Sequence, residues 1–401
     1  MARKSRSVGC FCFTTFCVIS LGVVGAGSAQ ASKAASPRIP EGRLFMSTCA
    51  SHQDQDYAYC IDSDDGILGT ALQETSRKTP PEIFSLARED RLRQITDNHL
   101  FEFGSMVWSP DRSRFAISAD RYGDTEDCRL YVVEVRTGRM TAVTPQAELA
   151  CPFPADWSQD GWILMSAYFH DGPTQLYKVR PDGSGLQDLT CFWNEGQGAY
   201  DARWIQGGRS VVFKGDLSNK SGIYVISADG TNRRSLFEVR WRRRAPKHIG
   251  EVAVAPGRRR IAYVVYDGRE ETHRPDEVFV MRLDGSARRR LTFNARDETA
   301  LSWSPNGDRL AIVEGSPYDA ESRAAIRIIG MGSGSSVVIR SPAAGPIDRW
   351  TPPRWSPSGR YLAFDVSDGE SSAVYTASVD GSWIRRATSF QRIVHLLDWR
   401  E

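Results

Sequence analysis

The residues best suited to chemistry are few and widely spaced. Of six histidines, His99, His170, His248, His273 and His395 stand far apart, in no pairing such as the HExxH of a zinc hydrolase. There is no Gly-x-Ser-x-Gly elbow and no P-loop, so serine-hydrolase and nucleotide chemistry drop out. The glycines between Gly330 and Gly334 run into a strand-like Val-Val-Ile segment and lack the helix N-terminus that would hold a phosphate. The string Asp62-Ser-Asp-Asp65-Gly66 has neither the alternating register nor the distal Glu of a calcium loop and reads as a hairpin turn. Asp156 and Asp201 closely precede Trp157 and Trp204, where they either face a channel or cap a turn. No cofactor is expected.

Charge and cysteine place the chain before they explain it. Arg233, Arg234, Arg240, Arg242, Arg243, Arg244 and Lys247 gather around Trp241, with Arg258 to Arg260 and Arg288 to Arg290 further on. Such a run is either a solvated face or a patch for anionic glycans, lipid headgroups or an acidic partner, and an aromatic among arginines can anchor one. The chain as a whole is near neutral. Without the three basic residues of the first 31 its formal charge passes from +2 to −1, which argues against nucleic acid as a partner. Those 31 residues have a basic head (Arg3, Lys4, Arg6), an apolar stretch from Val8 to Gly25 and a small-x-small site at Ala29-Gln30-Ala31, the layout of a secretory signal peptide. The rival is an uncleaved anchor; with cleavage, no transmembrane span is left. A periplasmic or secreted protein is expected. Five cysteines then remain, and an oxidising compartment favours pairing as Cys49–Cys60 and Cys128–Cys151, with Cys191 left over or substituting for Cys151.

The elements that must position these groups are set by repetition. Trp108-Ser-Pro-Asp, Trp157-Ser-Gln-Asp, Trp204-Ile-Gln-Gly, Trp303-Ser-Pro-Asn and Trp355-Ser-Pro-Ser are one phrase, and Val254-Ala-Pro-Gly holds its place where the Trp is lost. The intervals are 49, 47, 50, 49 and 52 residues, the period of a propeller blade. After each phrase come two apolar alternating runs, such as Leu362-Ala-Phe and Val374-Tyr-Thr-Ala. A tight turn follows, often Asp-Gly as at Asp182, Asp229, Asp284 and Asp380, and then a short strand ending in Thr190, Thr292 or Thr388. Alternation marks strands with one buried face, and Asp-Gly supplies the positive φ values of a two-residue hairpin. Four short strands cannot bury their faces alone, so units must pack on one another, with the Trp as the wedge between them. No helix of consequence is expected.

This grammar of Trp-Ser-Pro-Asp/Asn-Gly, Leu/Ile-Ala-Phe, Ile-Tyr-Val, Asp-Gly and Leu-Thr resembles the TolB-type β-propeller repeat, over about residues 83 to 401. The α/β domain that precedes the propeller in TolB has no counterpart in residues 32–82. Instead, Gly42 to Met46 reads as a second strand, Ile83 to Thr96 as the last two strands of a blade, and Ile393 to Trp399 as a first strand. Together they predict a composite blade. The expected fold is therefore all-β, a propeller of four-stranded blades, seven with the composite one or six if a unit is degenerate. Residues 49–80 are an insertion. Secreted oligogalacturonate lyases resemble this repeat and hold a metal through histidines on the face where His99, His248 and His395 would gather. The reading is a monomeric, non-catalytic platform for envelope proteins or glycans on that loop face, with Arg240, Trp241, Arg242, Arg243 and Arg244 as partner-binding candidates. The alternative is a polysaccharide lyase using the face histidines. Trp108, Trp157, Trp204, Trp303, Trp355 and Trp399 are structural.

Overall fold

The computed structural model describes residues 43–49, 81–87, 91–96 and 101–400, apart from the segments 121–127, 145–148, 169–171, 192–195, 218, 243–244, 258, 268–275, 295, 316–323, 343–344, 349–350, 368–371 and 389–393. The expected signal peptide (1–31), the insertion with Cys60, and His99 lie outside the described residues. So do His170, His273, Arg243, Arg244 and Arg258.

Each repeat becomes four antiparallel strands. Unit one runs Phe101–Trp108, Arg114–Asp120, Arg129–Glu134, Met140–Ala142, and units two to six begin at the strands Ala150–Trp157, Gly196–Ile205, Ala245–Val254, Asp297–Trp303 and Arg354–Trp355. Units two, three and four merge into one twelve-stranded sheet. The links are a single parallel pairing, Thr174 with Gly198, and a short ladder of Trp241 with Pro246 and Arg242 with Ala245. Among the described residues the only helical element is a 3-10 turn at Gln206–Gly208.

A further sheet joins the two ends of the described chain. Its order is Val394–Arg400, Arg43–Cys49, Pro81–Ala87, Arg91–Gln94. Leu44 lies opposite Trp399 and Thr48 opposite Val394, with a bulge between Phe45 and Met46. Leu44, Met46 and Trp399 pack on Ala363 and Val374 of unit six, while Ile83 and Ile95 pack on Phe115 and Ile117 of unit one.

The repeated residues have repeated tasks. The serine after the Trp closes the first hairpin: Ser109, Ser158, Ser304 and Ser356 accept from the amides of Arg114, Trp162, Arg309 and Tyr361 at 2.8–3.1 Å. The closing threonines do something periodicity alone does not reveal. Thr96, Thr144, Thr190, Thr292 and Thr388 each accept from the amide of the second or third residue of the third strand, 13 or 14 residues back, at 2.8–3.1 Å. All five are buried, so each satisfies a donor that water cannot reach.

The tryptophans sit where one unit meets the next. Trp157 packs with Leu130 and Val132 of unit one, Trp204 with Leu164 and Leu176 of unit two, and Trp399 with the face of unit six. Trp303 and Trp355 also donate their indole N–H to the preceding unit's inner strand, at Ala253 and Ser302, both at 3.0 Å. Between units three and four, where Val254 replaces the Trp, Tyr263 fills the space against Phe237 and Phe279 at centroid distances of 5.4 and 5.7 Å.

Candidate binding face at the start of the inner strands

The inner strands carry acids that bind neighbours instead of solvent. Asp156 accepts from its own neighbour Trp157 at 2.9 Å and from the Trp204 amide of the next unit at 2.8 Å. Asp201, at φ 51°, accepts from the Val252 amide at 3.0 Å, and Glu251 accepts from the Leu301 amide through both oxygens at 2.9 and 3.0 Å. Each carboxylate thus reaches 48–51 residues ahead and ties one unit to the next. Burial, reinforced by Asp201, pushes the Glu251 carboxyl up to about 8. Burial also raises Asp201, against the pull of Lys214. Asp156 and Asp201 thus cap strand amides, chiefly those of the following unit, and not the turn that the sequence offered. The signal for Glu251 was its offset, three residues before Val254 as Asp201 is before Trp204.

At the beginning of these strands, units three to five form a polar face. His248 lies directly across from Tyr266 in the ladder, and the two rings are 4.6 Å apart. The neighbouring Gly250 is required there, since a Cβ would overlap the Tyr266 ring. Burial first, then the Lys214 cation, hold the His248 imidazole below its ordinary value. Lys214 itself pairs with Asp216 at 3.4 Å and stands 5.3 Å from the Tyr200 ring centre.

In the adjoining units three glutamates converge. Glu298 is fully buried and accepts from Thr292 at 3.1 Å and from Asn294 at 2.8 Å. Asn294 also donates to Glu314 at 3.1 Å. Glu277 is held by Arg290 and Glu314 by Arg327, each through two guanidinium nitrogens. Burial, with Glu277 close by, pushes the Glu298 carboxyl up to about 9, so it keeps its proton at neutral pH.

The basic run lies beside this face. Arg240 is exposed on the strand Arg234–Arg242, and Trp241 and Arg242 pair with the start of the unit-four inner strand. The side chains of Trp241 and Arg242 lie outside the described residues.

The histidine proposal divides in the same way. His395 lies on Val394–Arg400 opposite Ser47, its side chain outside the described residues, as is all of His99. Among the described residues no group of three or more His, Cys, Asp or Glu is placed to hold a metal.

Of the cysteines, Cys128 is buried, Cys191 is exposed and free, and the side chains of Cys49 and Cys151 lie outside the described residues. No helix among the described residues is long and apolar enough to cross a membrane.

This is a β-propeller fold. The chain is similar in structure to a puromycin hydrolase mutant complexed with PGG (TM-score 0.60, 12% identity, covering 90% of this chain and 54% of that one), so it spans about half that enzyme's length. It is also similar to an oligogalacturonate lyase in complex with manganese (TM-score 0.57, 16% identity, covering 75% and 83%). TolB from Acinetobacter baumannii is another similar structure (TM-score 0.48, 13% identity, covering 89% and 67%). No protein-family model matches the sequence, and no curated protein matches it. At such identities the likeness is one of fold, which hydrolase and lyase share.

Proposed function

We propose that the chain is a non-catalytic binding propeller of the periplasm or the secreted space. Seven four-stranded blades form a ring closed by the composite sheet, and the face at the start of the inner strands recognises proteins or glycans of the cell envelope. The observation that carries this reading is how that face is held. Glu277, Glu298 and Glu314 are bonded to Arg290, Thr292, Asn294 and Arg327, and Asp156, Asp201 and Glu251 are bonded to backbone amides of the following unit. Groups committed to the frame in this way make a rigid support for loops, the arrangement that binding scaffolds use. Arg240, exposed on the strand beside the same face, supplies charge for an acidic partner or glycan, and the sequence continues it with Arg242, Arg243 and Arg244.

The test is affinity capture on the exported chain from a solubilised envelope extract, beside a charge-reversed variant at Arg240, Arg242, Arg243 and Arg244. A reproducible partner that the variant loses supports the platform. Retention of a polysaccharide that is shortened on incubation overturns it in favour of a lyase. The lyase reading has one observation of its own, the His248 imidazole packed against Tyr266 with its pKa lowered by burial. It predicts that His248→Ala abolishes the shortening.

A further inference from the structure

At the opposite ends of the same strands, between units four and five, three arginines point one way, and the acid beside them, Asp284, feels the Arg282 charge without forming an ion pair among the described residues. Arg260 stands directly opposite Arg282 in the ladder of the strands Arg260–Asp267 and Glu277–Arg282. Val280, two residues before Arg282, lies opposite Arg289. Alternate residues of a strand share a face and opposed residues share it too, so Arg260, Arg282 and Arg289 form one basic triangle. Val280 fixes which face this is, because it packs in the core between units four and five with Trp303 and Met331. The triangle is the rim of that interface. Like charges directly opposed across a ladder repel, and all three side chains are exposed. Among the described residues none of the three has a carboxylate within ion-pair distance. The adjacent Arg290, on the other face, is bound by Glu277.

The rim encloses a cleft of about 530 Å³ whose far wall is the loop Met331 to Gly334 of unit five. Arg289 donates to the Met331 carbonyl at 3.2 Å and holds that wall. The amides of the exposed Gly332 and Ser333 donate to no acceptor among the described residues, and a Cβ at Gly332 or Gly334 would meet nothing within 4 Å. The backbone is therefore open to close approach. A second cleft of about 470 Å³ shares Arg260 and Arg282. Its one acid, Asp284, accepts from the Ser286 amide at 2.8 Å. Both volumes fall in the roughly 300–1,000 Å³ range of small-molecule sites.

We propose that this cleft binds a small molecule bearing a phosphate or sulfate ester. The oxyanion lies among Arg260, Arg282, Arg289 and the free amides of Gly332 and Ser333, and the body of the molecule rests on Met331 and Ala287. Guanidinium forks suit a tetrahedral oxyanion, which also relieves the repulsion of the opposed pair. The site is independent of the binding face, from which it is separated by the length of the strands.

Calorimetric titration of the full chain with glucose 6-phosphate, glucose 6-sulfate, inorganic phosphate and glucuronate tests it. The esters should bind more tightly than inorganic phosphate and glucuronate, and the stronger ester identifies the source of the oxyanion. Arg282→Ala should weaken ester binding by roughly tenfold or more, Arg282→Lys should fall between, and Arg139→Ala, in unit one, should change nothing. Thermal melts give a second reading. The ester should raise the melting temperature of the wild type and not of Arg282→Ala, while without ligand the variant should melt no lower than the wild type. Equal binding of glucuronate and the esters, or ester binding unchanged in Arg260→Ala and Arg282→Ala, would overturn the proposal.

Discussion

Replacing Glu298 by glutamine isolates a strongly displaced carboxyl on the candidate binding face. Folding carries this group from an ordinary 4.5 to about 9. Between those values the folded chain keeps a proton that the unfolded chain has released, so stability falls as pH rises through the interval. Each pH unit is worth about 1.4 kcal/mol, and the whole interval as much as roughly 6 kcal/mol. Glutamine mimics the protonated acid: it can still accept from Asn294 or Thr292, and it has no proton to lose. Urea unfolding of wild type and Glu298→Gln should therefore agree near pH 5 and diverge steadily toward pH 9, the variant becoming the more stable by several kcal/mol. The Glu277–Arg290 and Glu314–Arg327 pairs are present in both proteins and cancel in the comparison. Parallel stability curves would refute the reasoning, because they would mean that Glu298 ionises without cost inside the fold.

Other expectations follow from single contacts. Trp355→Ala should lower unfolding free energy by about 3–5 kcal/mol, since the ring is buried between units five and six and its N–H bonds Ser302. Thr388→Val keeps the shape but strands the Val374 amide, at a cost of about 1–3 kcal/mol in chemical denaturation, whereas Thr388→Ser should recover most of it. Peptide mapping without reductant should recover Cys128 joined to Cys151, with Cys191 alkylated in the native protein; alkylation of Cys128 there would disprove the pairing. Removal of residues 394–401 should leave the strand Arg43–Cys49 with a bare edge and make the chain aggregate, read by light scattering.

What the sequence made legible was whatever repeats. Ser-Pro after the Trp, Asp-Gly before the last strand and the final Thr each act within their own unit, over 2 to 14 residues, and their recurrence exposes them. The composite sheet was legible for the same reason, because Gly42–Met46 and Ile393–Trp399 match strands of intact units. Contacts between units were not. Glu251 reaches Leu301 across 50 residues, and only the observed register of two inner strands shows that the carboxylate meets that amide. Glu298, Glu277 and Glu314 come from three strands of two units, with no common spacing. The basic triangle was half visible as Arg258 to Arg260 and Arg288 to Arg290. Its sharpness comes from the ladder, which puts Arg260, Arg282 and Arg289 on one face and sends Arg290 to the other. The glycines after Gly330 were set aside for want of a helix, yet open amides can meet an anion without one.

The sheet built from both ends of the chain also sets the order of events during folding. Its first strand is the last of the described elements in chain order and its next three are the earliest, so their partner arrives only after the other described strands. Until then the early strands must wait with an unpaired edge. Assembly is therefore slow to commit and dependent on contacts of the longest possible sequence separation, a step at which export or a chaperone can intervene. Once that pairing is made, the first and last described strands lie side by side, so joining Arg400 to Arg43 and opening the chain in an exposed turn would leave every described strand pairing in place.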